Sequence, residues 1–190
     1  MFIDWGEELL NTVEISIVSE FDINGNNRDH LQRLLCECFG GGYPVDRIYF
    51  KQKPHLRFLA YTEDCLVGHI ACDYRVMNLN GERINVLSLI DVCVSSNMRS
   101  QGIGSQLLKK TDEFCHDRDI DFIVLFADNP DLYEHNGFQR VQNRCKWLKI
   151  NDKDQTTYGI GHGVINELMI KAVGEKGWEE GELDLLGYLG

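Results

Sequence analysis

From His55 to Ser96 the chain reads HLRFLAYTEDCLVGHIACDYRVMNLNGERINVLSLIDVCVSS, three apolar, β-branched stretches broken only at TED and NLNGER. Asn80-Gly81 in the second break is the dipeptide that a two-residue hairpin turn demands, because both of its residues can take positive φ. The spacing predicts three consecutive antiparallel strands. A meander this apolar has to be covered, so the flanking segments must supply helices and further strands.

They are patterned to do so. VEISIVSE (13–20) alternates as a strand, and NRDHLQRLLCECF (27–39) sets Leu31, Leu34, Leu35 and Phe39 at helical spacing, with Asn27 or Asp29 as its cap. GGGYP (40–44) stops that helix, and VDRIYF (45–50) is expected as a short second helix. QGIGSQLLKKTDEFCHDR (101–118) reads as an amphipathic helix with Leu107, Leu108 and Phe114 inward. DFIVLFA (121–127) is continuously apolar, as in a strand covered on both faces. PDLYEHNGF begins as a short helix and stops at Asn136-Gly137, while 139–150 and 163–173 read as the last two strands. The expectation is an α+β fold: a mixed, mostly antiparallel sheet of six to seven strands flanked by about four helices. Residues 1–173 form a single domain in this reading, and the acidic tail 174–190, with Trp178, packs on it or extends from it.

Composition narrows the partners. The 190 residues are 43% apolar, enough for a substantial core. No run of about eighteen apolar residues occurs, and Met1–Leu10 carries acids where a signal peptide begins basic, so a cytoplasmic protein with no membrane partner is expected. Nineteen Lys and Arg against thirty Asp and Glu leave a net charge of −11, which repels nucleic acid and suits cationic small molecules or basic peptides. The seven cysteines are odd in number and mostly in apolar context, as reduced buried thiols would be. Cys36 and Cys38 lie two apart on a helix and point to different faces, and there is no Cys-x-x-Cys or His-x-x-x-His pair. No metal is expected.

VSSNMRSQGIGSQLL, Val94–Leu108, joins the third meander strand to the amphipathic helix through two glycines one residue apart. The first amides of a helix lack partners and the macrodipole adds roughly half a positive charge, so glycines there let an anion approach the backbone. A Walker loop would continue Gly-Lys-Ser/Thr, but Ser105-Gln106 follows; a dinucleotide fingerprint would place a third glycine where Leu107 stands. The phosphate of neither class fits.

Arg99-x-x-Gly102-x-Gly104, preceded by LIDVCVSS and followed about thirty residues later by LYEHNGF, resembles the GNAT superfamily of acyl-CoA-dependent N-acyltransferases. The order of elements over 13–173 is similar as well. The resemblance implies acetyl-CoA as co-substrate, its pyrophosphate held by the amides of Arg99, Ser100, Gln101, Gly102, Ile103, Gly104 and Ser105. It also implies a bulged strand whose free edge, Val92, Cys93 and Val94, pairs with the pantetheine arm like a short added strand. Asn129 is the additional cofactor contact, and Tyr133 matches the family tyrosine assigned as acid to the departing thiolate. Full proton transfer from a tyrosine of pKa about 10 to a thiolate of about 8.5 is uphill by roughly 2 kcal/mol, so donation of a hydrogen bond is the more economical role.

The base stays open between Asp91, ranked first, Asp73 and Asp128; where many family members carry Glu, this chain has Ser88. If β alternation is regular, Asp91 faces opposite to Ile90, Val92 and Val94. By analogy Tyr43, Asp73, Tyr74 and Trp147 line the acceptor cleft. The long meander and extended C-terminal segment look somewhat like aminoglycoside 2′-type acetyltransferases, with a weaker likeness of the tail to acyltransferases that modify chito-oligosaccharides. The expected reaction moves an acetyl group to the primary amine of a small cationic acceptor, such as an aminoglycoside or polyamine, by direct attack in a ternary complex. A protein N-terminal or lysine acetyltransferase, or a non-catalytic CoA-binding sensor, is the alternative. The partner is thus a small-molecule or peptide amine. The oligomeric state is open, with a homodimer as the candidate.

Overall fold

The computed structural model describes residues 12–190. In chain order they form β1 (Val13–Ser19), α1 (Gly25–Phe39), β2 (Leu56–Thr62), β3 (Cys65–Leu79), β4 (Glu82–Val94), α2 (Ile103–Cys115), β5 (Phe122–Phe126) and α3 (Asp131–His135). β6 (Gln139–Arg140), β7 (Arg144–Asn151), β8 (Thr156–Val164), β9 (Leu168–Ala172) and β10 (Glu182–Tyr188) follow. The described residues therefore hold ten strands and three α-helices, where six to seven strands and about four helices were expected.

The meander is realised as β2, β3 and β4. Asn80 and Gly81 have φ of 53° and 93°, the doubly left-handed turn whose twist suits a hairpin, and Leu79 pairs with Glu82 across it. Spatial order along the sheet is β6-β9-β5-β4-β3-β10-β7-β8, with β1 and β2 continuing from the first half of β3. α2 buries Ile103, Leu107 and Leu108 against one face, with Phe58, Ile70 and Leu125. α1 buries Leu31, Leu34 and Leu35 against the other, with Leu59 and Cys93. Each fully buried side chain of this kind contributes about 1.5–3 kcal/mol.

Several expectations are corrected by tertiary contacts. Residues 45–50 form no helix, because their carbonyls are used elsewhere: Arg28 donates to Asp46 O (3.1 Å) and Arg57 to Ile48 O (2.9 Å). Asn24, not Asn27 or Asp29, caps α1, its Oδ1 accepting from the Asn27 amide at 2.9 Å. The stretch 139–150 splits in two at Asn143, which is fully buried and whose side chain donates to Glu179 O and accepts from Trp178 Nε1. The chain there crosses from β9 to β10. Residues 163–173 likewise belong to two strands, since Leu168 N closes a turn onto Ile165 O. α2 is shorter than 101–118: Ser100 and Gly102 before it, and Asp117 after it, have positive φ.

The tail is part of the sheet. β10 pairs antiparallel with β3 and parallel with β7, and Trp178 meets Phe122 edge-on at 5.1 Å.

Candidate active site

β4 and β5 run parallel and pair only from Val86–Phe122 to Ser88–Val124. Beyond that point the two strands no longer pair with each other, and a wedge opens between them. At its mouth α2 begins. Gly102 is the N-cap with φ 78°, a left-handed conformation open to glycine, and it brings no side chain to cover the first amides of the helix. Gly104 is small for another reason: a Cβ there would stand 3.1 Å from a methyl of Leu132 on α3. Val92, Val94, Arg99, Gly102, Ser105 and Tyr133 are among the walls of a cleft of about 510 Å³ at this spot.

The edge that β4 shows to the cleft follows from its register. Ser95 N donates to Val67 O (2.8 Å) and Cys93 lies opposite His69, so alternation turns the amides of Val94 and Val92 away from β3. Val94 O accepts from Arg99 Nε (3.1 Å) and Cys38 Sγ (3.5 Å), leaving the Val94 and Val92 amides facing the wedge.

The register of β3 on β4 shifts between His69/Cys93 and Ala71/Ile90, so Asp91 and Val92 together oppose Ile70. This is a bulge. Asp91 sits in it with φ 51°, unusual for a residue with a Cβ. Its side chain therefore does not follow the regular alternation. The carboxylate accepts a hydrogen bond from Tyr43 Oη (2.9 Å), and Tyr43 itself is buried, edge-on to Phe50. Burial raises the Asp91 carboxyl above its usual range, with the Tyr43 bond and the Arg57 and Lys51 charges pulling the other way.

Tyr133 stands on α3 with its ring edge-on to Phe138, and burial, then the neighbouring Cys93 thiol, pushes its hydroxyl up to about 12. It belongs to the walls of two spaces at once. One is the cleft; the other is a cavity of about 380 Å³ between β4 and β5, which also touches Asp91, Val92, Asp128 and Asn129. Asp91 in turn is shared with a third cavity of about 300 Å³, bordered by Tyr49, Phe50, Lys51, Asp152 and Tyr188. The three spaces form one series, with Tyr133 at the first junction and Asp91 at the second.

Of the residues singled out in the sequence, Val92, Cys93, Val94, Arg99, Ser100, Gly102, Ile103, Gly104, Ser105 and Tyr133 meet at the cleft. Gln101 is exposed beside it, its amide on Asn97 O. Asn129 borders the middle cavity and accepts from the Asp131 amide at the start of α3. Tyr43 is behind Asp91 rather than in a cavity wall. Asp73 is buried under Tyr188, whose hydroxyl donates to it, and His55. Tyr74 borders a separate apolar hollow with Leu56, Leu87 and Phe114, its hydroxyl on Asp119 O. Trp147 lies flat over Gly161 of β8, where a Cβ would meet the indole at 2.2 Å. Neither of the last two reaches the series of cavities.

Residues not singled out complete it. Phe39 and Cys38 at the end of α1, Met98 and Leu132 close the cleft. Lys51, Asp152 and Tyr188 come from segments distant in sequence, and the bond from Lys51 Nζ to Leu189 O at 2.6 Å joins residues 138 positions apart. A helical face could have pointed to Cys38 and Phe39; no local pattern points to the others.

Known proteins share this architecture. The GNAT-family N-acetyltransferase YhbS of Escherichia coli, solved in complex with CoA, superposes with a TM-score of 0.63 at 16% identity, over 91% of this chain and 89% of its own. A GCN5-related N-acetyltransferase of Anabaena variabilis gives a TM-score of 0.58 at 20% identity over 70% of this chain, and the chain spans only 34% of that larger protein. In sequence, an uncharacterized N-acetyltransferase of Methanocaldococcus jannaschii is 23% identical over 154 residues, 71% of this chain and 68% of the relative. The family model described as the acetyltransferase (GNAT) domain matches residues 23–141. That match spans more than half of the chain and takes in β2 through α3, the elements that build the wedge: the protein belongs to the GNAT acetyltransferase family.

Proposed function

We propose that the protein transfers an acetyl group from acetyl-CoA to a primary amine of a small cationic acceptor, an aminoglycoside or polyamine being the class intended. The observation that carries this reading is the series of three cavities, with a bare helix start at one end and acidic and aromatic walls at the other. The cofactor fits the first of them chemically. Uncapped amides of α2 suit a diphosphate, and the outward Val94 amide suits the amide-bearing arm, with the Val92 amide left for the thioester end. Acetyl-CoA supplies, when bound, an acyl group activated as a thioester.

The residues then divide the work. The Val92 amide is the donor nearest the bulge and is assigned to the acyl oxygen, where it steadies developing charge. Tyr133 is assigned to the leaving sulfur. With its hydroxyl up at about 12 against a thiol of about 8.5, handing over the proton outright costs roughly 5 kcal/mol, so it acts by donating a hydrogen bond. Asp91 is assigned to the proton of the amine. An alkylammonium of pKa about 10.4 must lose roughly 4–5 kcal/mol worth of protonation at pH 7, and a carboxylate raised by burial accepts a proton more readily than an exposed one. The third cavity supports a cationic acceptor: Asp91 and Asp152 outnumber Lys51, whose ammonium is tied to Leu189 O.

The test is release of free CoA thiol from acetyl-CoA with a panel of amines that includes aminoglycosides, polyamines and peptide N-termini. Tyr133→Phe is expected to lower turnover tens-fold while calorimetry shows CoA binding unchanged. Unchanged turnover removes Tyr133 from the chemistry, and a panel preference for peptides replaces the small-cation reading.

A further inference from the structure

Behind the bulge lies a buried polar chain to which the transfer chemistry has so far given no part. Arg57 on β2 and His69 on β3 have no exposed surface. The Arg57 guanidinium donates from Nε to Glu20 (2.7 Å) and from one terminal nitrogen to Ile48 O (2.9 Å); the other lies 3.0 Å from His69 Nε2. His69 Nδ1 lies 3.0 Å from the main-chain carbonyl of Asp91.

The tautomer follows from the partners. A guanidinium only donates, so Nε2 accepts and the proton sits on Nδ1, aimed at the Asp91 carbonyl. Burial and the Arg57 charge keep the ring neutral, lowering its pKa to about 3. The carbonyl so held belongs to the one residue of β4 with positive φ. A bulge takes this group out of the ladder, and a buried carbonyl without a partner would favour return to regular pairing. Return by one residue would turn the Val92 and Val94 amides toward β3 and away from the wedge.

We propose that Arg57 and His69 are positioning residues for acyl transfer: the Nδ1–H of His69, oriented by Arg57, locks the bulge at Asp91 so that the Val92 amide meets the acyl oxygen and the Asp91 carboxylate meets the amine. Neither touches a substrate. The inference rests on the function proposed above, and wild-type thioester consumption tests that function separately.

The experiment compares His69→Leu, which removes the donor, with His69→Asn, whose amide N–H stands close to the place of Nδ1. For both, kcat, CoA affinity by calorimetry and the carbonyl stretch of bound ¹³C-acetyl-CoA are measured. His69→Leu is expected to lower kcat at least tenfold and raise the stretch frequency, with CoA binding weakened but retained, because the helix start keeps the diphosphate while the β4 amides turn from the arm. His69→Asn is expected to recover most of both. Equal losses in the two variants, or a folded His69→Leu protein with wild-type kcat and stretch, overturn the proposal. Should His69→Leu not fold, ¹⁵N spectra of the wild-type ring decide: a proton on Nδ1 alone supports the lock, and a proton on Nε2 refutes it. That readout needs no turnover, so it holds even if the amine panel shows none.

Discussion

Tyr43 and Asp91 come from segments 48 positions apart and share one short polar contact inside an apolar pocket. The hydroxyl favours the charged carboxylate, while burial disfavours it and prevails, so Asp91 titrates above the usual carboxylate range. In Tyr43→Phe, burial acts with less opposition and the carboxyl rises further. If Asp91 takes the proton of the amine, kcat falls as pH drops through its folded value, and this acidic limb moves to higher pH in Tyr43→Phe. A limb that stays in place in the pH–kcat profile separates Asp91 from proton removal. At this scale the glycines were legible, since Gly102 needs positive φ and the Arg-x-x-Gly-x-Gly spacing shows in the chain. A bulge before Val92 was implied only by the family resemblance; that it falls at Asp91 was not legible, because the hydrogen bond that holds its carbonyl comes from His69, 22 positions away.

Among the elements, the β3–β4 hairpin and β10 are joined through Asn80. Its Oδ1 accepts from the Glu182 amide (2.8 Å) and its Nδ2 donates to Glu180 O (2.9 Å), while its own φ is 53°. Asn80→Ala loses both bonds and places a Cβ residue in left-handed space with no side-chain compensation; a cost of about 2–3 kcal/mol is expected. Asn80→Gly relieves the backbone but keeps the loss of bonds, at about 1–2 kcal/mol. Denaturant midpoints check the order, and equal midpoints for the two variants would show that the turn conformation costs nothing. Long periodic elements such as α1, α2 and the meander could be read from the chain, because their patterns extend over many residues. β8 could not: Gly159, Gly161 and Gly163 read as breakers rather than as a strand, and Gly161 is glycine because Trp147 of β7 covers it.

For the whole molecule, the net charge of −11 sets a field that acts before any contact. It favours arrival of a polycation and opposes arrival of CoA, whose phosphates, in the function proposed above, are met by the local amides of α2. Raising salt from about 20 mM to about 300 mM shortens the screening distance from about 20 Å to about 6 Å. KM for a tri- or tetra-amine is expected to rise several-fold, with that of a monoamine nearly constant. Steady-state kinetics at the two salt levels decides this, and equal responses would separate the charge from acceptor choice. The overall layout was visible in the sequence as an order of strands and helices, but not the place of the tail, because β10 meets β3 and β7 only through contacts distant in sequence.

That placement has a consequence for how the molecule is made. In the order β3-β10-β7-β8, the ribbon of residues 144–164 reaches the rest of the sheet through a strand that begins at Glu182. A ribosome releases the ribbon first, when its place in the sheet is not yet made and only contacts at its tip, such as Gln155 Nε2 on Phe50 O at 2.9 Å, are there to hold it. Truncated translation products ending before that strand would carry the ribbon loose, offered to chaperones or to one another.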